Sequence, residues 1–345
     1  MVRGLLVVMV AVLSSCGPPR CSCAPPIGNE GATRFSGLPG QPGGGDVVVR
    51  LPGDPSARYL AAMAYDAGRD DFVMFGGQTD KGTSGETWLL KKRIEQYNVQ
   101  TYRWMQVRPV HSPPPRRGAA IAYDPSHGVV LMYGGLIPDS AEGRVASDTW
   151  AWNGVDWTEL ASDSQPGPRD DAAMVSAGDE VLLFGGHVAN VSYFGDAWAW
   201  DGSTWIRADR NPTPPGRGSA AAVWDQESSS LFVYGGYGLR PDAGPGNLGL
   251  PLADAWRLEG GRWTNLPDVP SALILPYGYL SKDKTAVVFR GVACPMELLR
   301  VVTWQLSAQK WVGPSDAGSP LWGAVHATDK DGVRVEFGGS NTPAC

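Results

Sequence analysis

The chain has 345 residues, with 29 lysines and arginines against 35 acidic residues, a formal charge of −6 and no basic block. That balance argues against a nucleic-acid partner, whose phosphates need clustered positive charge, and four histidines leave little material for a multi-metal enzyme. The 45 glycines and 29 prolines are about a fifth of the chain, short of a low-complexity composition and in keeping with many short strands joined by turns. The 14 tryptophans need a structural account.

Met1-Val2-Arg3 supplies a short positive region, and Leu5 to Leu13 is an apolar run too short to span a bilayer as a mature helix. Leu13-Ser14-Ser15-Cys16 follows. It resembles the bacterial lipobox, in which an apolar residue and two small residues precede the cysteine whose thiol carries the lipid. The alternative is an ordinary secretory signal with an incidental cysteine. On the lipobox reading residues 1–15 are a signal peptide and Cys16 is the lipidated mature N-terminus. Gly17, not an aspartate, then implies the outer membrane in a Gram-negative cell. Residues 17–45 hold fourteen Gly or Pro in 29 positions, a composition expected to bury little and stay flexible. The lipidated cysteine and tether are bounded at 16–32, with the body expected over 33–345.

The body is a repeat. Four β-rich runs end in Gly-Gly: FVMFGG at 72–77, VLMYGG at 130–135, VLLFGG at 181–186 and LFVYGG at 231–236. VRVEFGG at 333–339 is a fifth, and VVFRG at 287–291 is a degraded copy. Six copies at roughly 50 residues fit the kelch period. Arg58, Arg116, Arg169 and Arg217 open a shared approach to the Gly-Gly, as in Arg58-x-x-Ala-Ala-x-x-Tyr65-Asp66. After a variable loop comes an acidic-x-Trp signature ending at Trp88, Trp150, Trp198 and Trp256, with Thr303-Trp304 as a weaker version. A second tryptophan closes each unit: Trp104, Trp157, Trp205, Trp263 and Trp311.

These registered motifs resemble the bacterial kelch-type β-propeller family over about residues 46–345. The resemblance implies an all-β fold with one four-stranded blade per repeat around a central channel, six-bladed here. It places Trp88, Trp150, Trp198, Trp256 and Trp304 on third strands and the second series on fourth strands. There large aromatics fill the wedges between blades, rather than stacking on sugars. The pairs Gly76-Gly77, Gly134-Gly135, Gly185-Gly186 and Gly235-Gly236 are expected where φ is positive and backbones approach closely. The repeated arginines are expected to pair with a repeated acid or with carbonyls. A ring of arginines around an anion is the alternative, broken at Leu275 and Leu321, the positions aligned with them in repeats five and six.

The last unit stops after its Gly-Gly and supplies only two strands. An open edge invites pairing, so residues 33–51 are expected to complete a closing blade shared between the N- and C-terminal strands. Asp46 to Leu51 would be its fourth strand and, more weakly, Thr33 to Leu38 its third. Cys294 and Cys345 would then lie in equivalent loops of adjacent blades, and an exported protein favours disulfides. A Cys294–Cys345 bond would close a loop of roughly 50 residues, an effect on the order of 4 kcal/mol. Pairing of either with Cys21 or Cys23 is the alternative.

The loops after each Gly-Gly vary most, at about 78–85, 136–147, 187–195, 237–253 and 292–302. They share a face with Pro-rich loops leading into first strands, an arrangement suited to a binding surface. His187, Tyr193, Phe194, Tyr237 and Arg240 have no role in the repeat and are the candidate ligand contacts, aromatics and arginine being common anchors. Enzyme readings fit less well. Galactose oxidase shares the kelch-type propeller and holds copper with His and Tyr ligands, whereas His111, His127, His187 and His326 are spread over four units. Kelch-type sialic-acid mutarotases match in size, yet no motif singles out an acid or base. No G-x-S-x-G elbow opens a helix. The expectation is a lipid-anchored, extracytoplasmic, monomeric propeller head that binds a protein or glycan, with no catalytic residue, metal or cofactor assigned. A carbohydrate-active enzyme (mutarotase or oxidase) and a purely structural envelope component are the alternatives.

Overall fold

Runs such as Phe72–Phe75 and Val181–Phe184 are apolar at every position, which suits a strand covered on both faces. The computed structural model describes residues 32–36, 38, 47–49, 53–94, 100–140, 143–188, 192–238, 249–267, 269, 272–281, 283–284, 286–293, 301–307, 310–316 and 324–339. Among them every regular element is a strand, and no helix is long and apolar enough to cross a membrane.

The described strands form six four-stranded antiparallel sheets. The first holds Ala62–Asp66, Asp71–Phe75, Thr87–Ile94 and Gln100–Val107. The second holds Ala120–Asp124, Val129–Tyr133, Thr149–Trp152 and Trp157–Leu160. The third holds Ala173–Ala177, Glu180–Phe184, Ala197–Trp200 and Trp205–Arg207. The fourth holds Ala221–Asp225, Ser230–Tyr234, Ala255–Glu259 and Arg262–Asn265. The fifth holds Leu273–Leu280, Val287–Ala293, Val301–Ser307 and Lys310–Asp316. In each the chain meanders from first to fourth strand, and the first strands of successive sheets pack against one another.

The sixth sheet joins both ends of the chain. Val325–Thr328 and Arg334–Phe337 supply its first two strands. Thr33–Ser36 pairs with Arg334–Phe337 as the third, and Val47–Val49 pairs with Thr33–Ser36 as the fourth. Thr33 occupies the middle place of the acidic-x-Trp signature, so this third strand reads Ala-Thr-Arg where the others read acid-x-Trp.

Second strands send alternate residues into two wedges, as a period of two requires. Val130 and Met132 join Val73, Phe75 and Trp157 between the first two sheets. Leu131 and Tyr133 join Val181, Leu183 and Trp205 between the second and third. Similar apolar clusters fill the wedges between sheets three and four, four and five, and six and one. The interface of sheets five and six differs. There Tyr277 stacks on His326 with ring centroids 3.9 Å apart, and the Arg334 guanidinium lies 3.9 Å over the Tyr279 ring.

The closing tryptophans tie neighbouring sheets by hydrogen bonds. Trp104 donates to Thr33 Oγ1 at 2.8 Å, Trp157 to Thr87 Oγ1 at 3.0 Å and Trp205 to Thr149 Oγ1 at 3.0 Å. Where the signature carries alanine instead, at Ala197 and Ala255, other acceptors serve: Trp263 donates to Asp209 and Trp311 to the Pro267 carbonyl.

Candidate functional site

The repeat motif condenses into one buried unit. Arg116 is 1% exposed; it holds Asp148 through two hydrogen bonds of 2.6 and 2.7 Å and donates to the carbonyls of Gly134 and Pro114. Trp150 donates to the same aspartate at 2.8 Å. Burial pushes the Asp148 carboxyl up, but the Arg116 and Trp150 bonds outweigh it and hold it below the usual carboxylate range. Arg58 with Glu86, Arg169 with Asp196 and Arg217 with Asp254 repeat the arrangement. All four guanidiniums are buried and paired, so they form no ring around a ligand. In repeat five the residue in register with them is Leu273, not Leu275: Leu275 carries the positive φ found two residues after each arginine, as at Leu60, Gly118, Asp171 and Ser219.

Four of the five Gly-Gly pairs dock on the next repeat. The N–H groups of Gly77, Gly135, Gly186 and Gly339 donate to the carbonyls of Arg116, Arg169, Arg217 and Arg58 at 2.8 to 3.0 Å. The last of these joins the sixth sheet to the first. At Gly134 φ is +67°, and a Cβ would lie 2.3 Å from the Arg169 carbonyl oxygen, so only glycine fits.

Beyond the first four Gly-Gly pairs the chain rises into a short ribbon. These are Gln78–Thr79 with Gly82–Thr83, Leu136–Ile137 with Arg144–Val145, and His187–Val188 with Ser192–Tyr193. Tyr237–Gly238 pairs with Leu250–Pro251 and with Arg217–Gly218. Each ribbon pairs with the segment leading into its own first strand: Tyr59 opposite Gln78, Arg117 opposite Leu136 and Asp170 opposite His187. Ribbons and leading segments thus share one face, around a cavity of about 150 Å³ lined by Leu60, Gly118, Asp171, Ser219, Leu275, His326 and the small residues beside them. Its rim is stitched by backbone bonds from Gly118 N–H to Leu60, Asp171 N–H to Gly118 and Ser219 N–H to Asp171, at 2.7 to 2.9 Å.

The third repeat concentrates ionisable groups at this rim. His187 Nδ1 lies 3.1 Å from Asp170 Oδ1, and His187 Nε2 lies 3.5 Å from Asp171 Oδ2. Ser219 donates to Asp171 Oδ2 at 3.2 Å. Burial and the adjacent Asp171 charge push the Asp170 carboxyl up to about 7, against the pull of His187. Burial draws the His187 imidazole down, but Asp171 and then Asp170 raise it above its ordinary value. The Tyr193 ring packs 5.3 Å from His187, and burial followed by the two aspartates raises its hydroxyl.

The candidate contacts are less exposed than the sequence led one to expect. His187 is 8% exposed; Tyr193, Phe194 and Tyr237 are half-buried. Phe194 lies under the Arg169 guanidinium at 4.4 Å and braces the scaffold. Tyr237 is in register with Gly218 and Pro251. His187 and Tyr193 come together; Arg240, Cys16, Cys294 and Cys345 lie outside the described residues. Asp170, Asp171 and Ser219 were missed by motif reading. The signal was there in the repeat alignment: the two residues after the arginine are Tyr-Leu, Arg-Gly, Asp-Asp and Gly-Ser, so only the third repeat brings paired acids, and the register places them against its histidine.

A family model described as the KLHDC2/KLHL20/DRC7 Kelch-repeats domain matches residues 67–268, more than half of the chain. The chain belongs to this Kelch-repeat family. Among curated proteins, the tRNA wybutosine-synthesizing protein 4 of Emericella nidulans is 32% identical over 105 residues, which cover 28% of this chain and 9% of that protein. The Kelch chain therefore aligns with only a small part of that relative's length. The solved structure of YjhT superimposes with a TM-score of 0.59 at 15% identity, covering 83% of this chain and 95% of that one. At that identity the likeness is one of fold.

Proposed function

We propose that this Kelch chain is a six-bladed propeller that binds a protein or glycan through its ribbon face. A lipid on Cys16 would anchor it at the cell envelope, outside the cytoplasm. One observation carries the reading: the repeated Arg, Gly, Asp and Trp groups satisfy one another inside the sheets, while the ribbons that differ between repeats gather on one face around the cavity. A self-satisfied scaffold bearing variable loops is the design expected of a recognition module. Fold alone assigns no activity.

The enzyme alternative of copper-oxidase type gains no support from the histidines. His111 pairs with Asp156, His127 with Asp124 and His187 with Asp170, and His326 stacks on Tyr277, four separate places. The anchoring reading rests on the lipobox at Leu13-Ser14-Ser15-Cys16 and the Gly- and Pro-rich stretch that follows.

The test is a pull-down from envelope extract with residues 30–345, beside a version whose 187–195 and 237–253 loops are replaced by Gly and Ser. Retention of a protein or glycan by the native loops alone supports the module. Equal retention by both, or none, counts against this face. Separately, Cys16→Ser should release the protein from membranes, and a membrane-bound variant would contradict the lipid anchor. Intact-mass analysis without reductant tests the Cys294–Cys345 bond; free thiols at both would remove it.

A further inference from the structure

The groups around His187 have a feature that ion pairing leaves unexplained. Asp170 Oδ1 and His187 Nδ1 are buried, face each other at 3.1 Å, and neither makes a hydrogen bond. Both atoms can ligate a cation, and the second carboxylate, Asp171, stands 3.5 Å from the other nitrogen of the imidazole. One donor atom from each of Asp170, Asp171 and His187 lies within 4.8 Å of the others.

The surroundings are cut to fit these side chains. A Cβ on Gly118 would come within 2.6 Å of Asp171 Oδ1, and one on Gly218 within 2.4 Å of His187 Cδ2. Neighbouring repeats thus withhold side chains where the third repeat needs room for a carboxylate and an imidazole. The scaffold itself asks for none of the three ligands, since other repeats place Tyr59 opposite Gln78 and Arg117 opposite Leu136.

We propose that Asp170, Asp171 and His187 form a binding site for a single divalent transition cation of the zinc class, at the edge of the channel cavity. One imidazole with two carboxylates favours such an ion over calcium or magnesium, which take all-oxygen shells. Asp170 and Asp171 belong to the segment leading into the third sheet and His187 to the ribbon, so the ion pins ribbon to rim. Three protein ligands leave a coordination position for water or for an oxygen of a bound partner. The site goes beyond the binding-module reading and stands without it.

The test is calorimetric titration of the EDTA-treated, dialysed protein with zinc chloride alone, with magnesium chloride as the comparison. Wild type should bind one zinc saturably and show a higher melting temperature with zinc than without. Asp170→Asn and His187→Gln, which keep side-chain size, should each weaken binding at least tenfold with unchanged circular dichroism. His111→Gln, which removes the exposed histidine paired with Asp156, should bind as wild type does. Absence of saturable zinc binding, wild-type affinity in the two site variants, or loss in His111→Gln alone would overturn the assignment. A pull-down that fails while zinc binding persists would reject the partner and leave the metal site standing.

Discussion

At the scale of single residues, the motif positions are fixed by hydrogen-bond geometry and by space. Arg116→Ala removes a buried guanidinium and strands Asp148 and the Gly134 carbonyl. Leaving one half of a buried pair costs about 3 kcal/mol or more, to be read from urea unfolding. Gly134 and Gly128 make a controlled comparison. Both have φ near +65°, but a Cβ at Gly128 meets nothing within 4 Å, whereas at Gly134 it strikes the Arg169 carbonyl oxygen. Gly128→Ala should cost only the left-handed strain of about 1 to 2 kcal/mol. Gly134→Ala should cost clearly more, because backbone of the next sheet must move. Equal losses would mean that the contact between sheets is not what holds glycine there. The candidate site was hard to read at this scale for a physical reason. Asp170 and Asp171 carry no motif; they matter only because the ribbon pairing sets them against His187, a contact across 16 to 17 positions.

At the scale of elements, the apolar second strands, the paired glycines and both tryptophan series were legible because each repeats and each has one physical role. The joint sixth sheet was legible too, from an unfinished last repeat and a spare β-rich stretch at 46–51. What could not be read was the arginine register in the fifth repeat. Leu273 stands 18 residues before Gly291, the spacing of Arg58 to Gly76, Arg116 to Gly134 and Arg217 to Gly235, but with no arginine and a single glycine to mark it the repeat aligns two residues late, on Leu275. The same region departs from the apolar wedge, and that has a consequence for pH. Burial, then the charges of Arg334 and Arg290, push the His326 imidazole down to about 3. Its folded value is below the unfolded value of about 6.5. The unfolded chain therefore takes up a proton that the folded chain refuses as pH falls below 6.5, and stability drops with falling pH. The slope from this group approaches about 1.4 kcal/mol per pH unit. Urea unfolding of wild type and His326→Phe between pH 6.5 and 4.5 should show the steeper loss in wild type. Parallel curves would mean that His326 is not held neutral. Thr33→Val deprives the buried Trp104 N–H of its acceptor and should cost about 1 to 3 kcal/mol if the N-terminal strand closes the ring.

At the scale of the whole molecule, the account separates a scaffold from a face. The scaffold residues answer to one another, from Arg58 at the carbonyl end of the Gly339 bond to Trp311 at the edge of the fifth sheet. The face holds what the repeat does not require: ribbons of unequal length, the cavity of about 150 Å³ and the Asp170, Asp171 and His187 group. Which molecule would be recognised was never legible, because the loops proposed to bind it differ from repeat to repeat and obey no shared pattern. The central claim is that this face does the binding, and hydrogen–deuterium exchange of the protein with and without its captured partner tests it most directly. The account predicts slowed exchange in the ribbons at 78–83, 136–145, 187–193 and 237–251 and in their leading segments. Protection confined instead to the hairpin turns at 67–70, 125–128 and 226–229, which join first to second strands at the other end of the sheets, would contradict it.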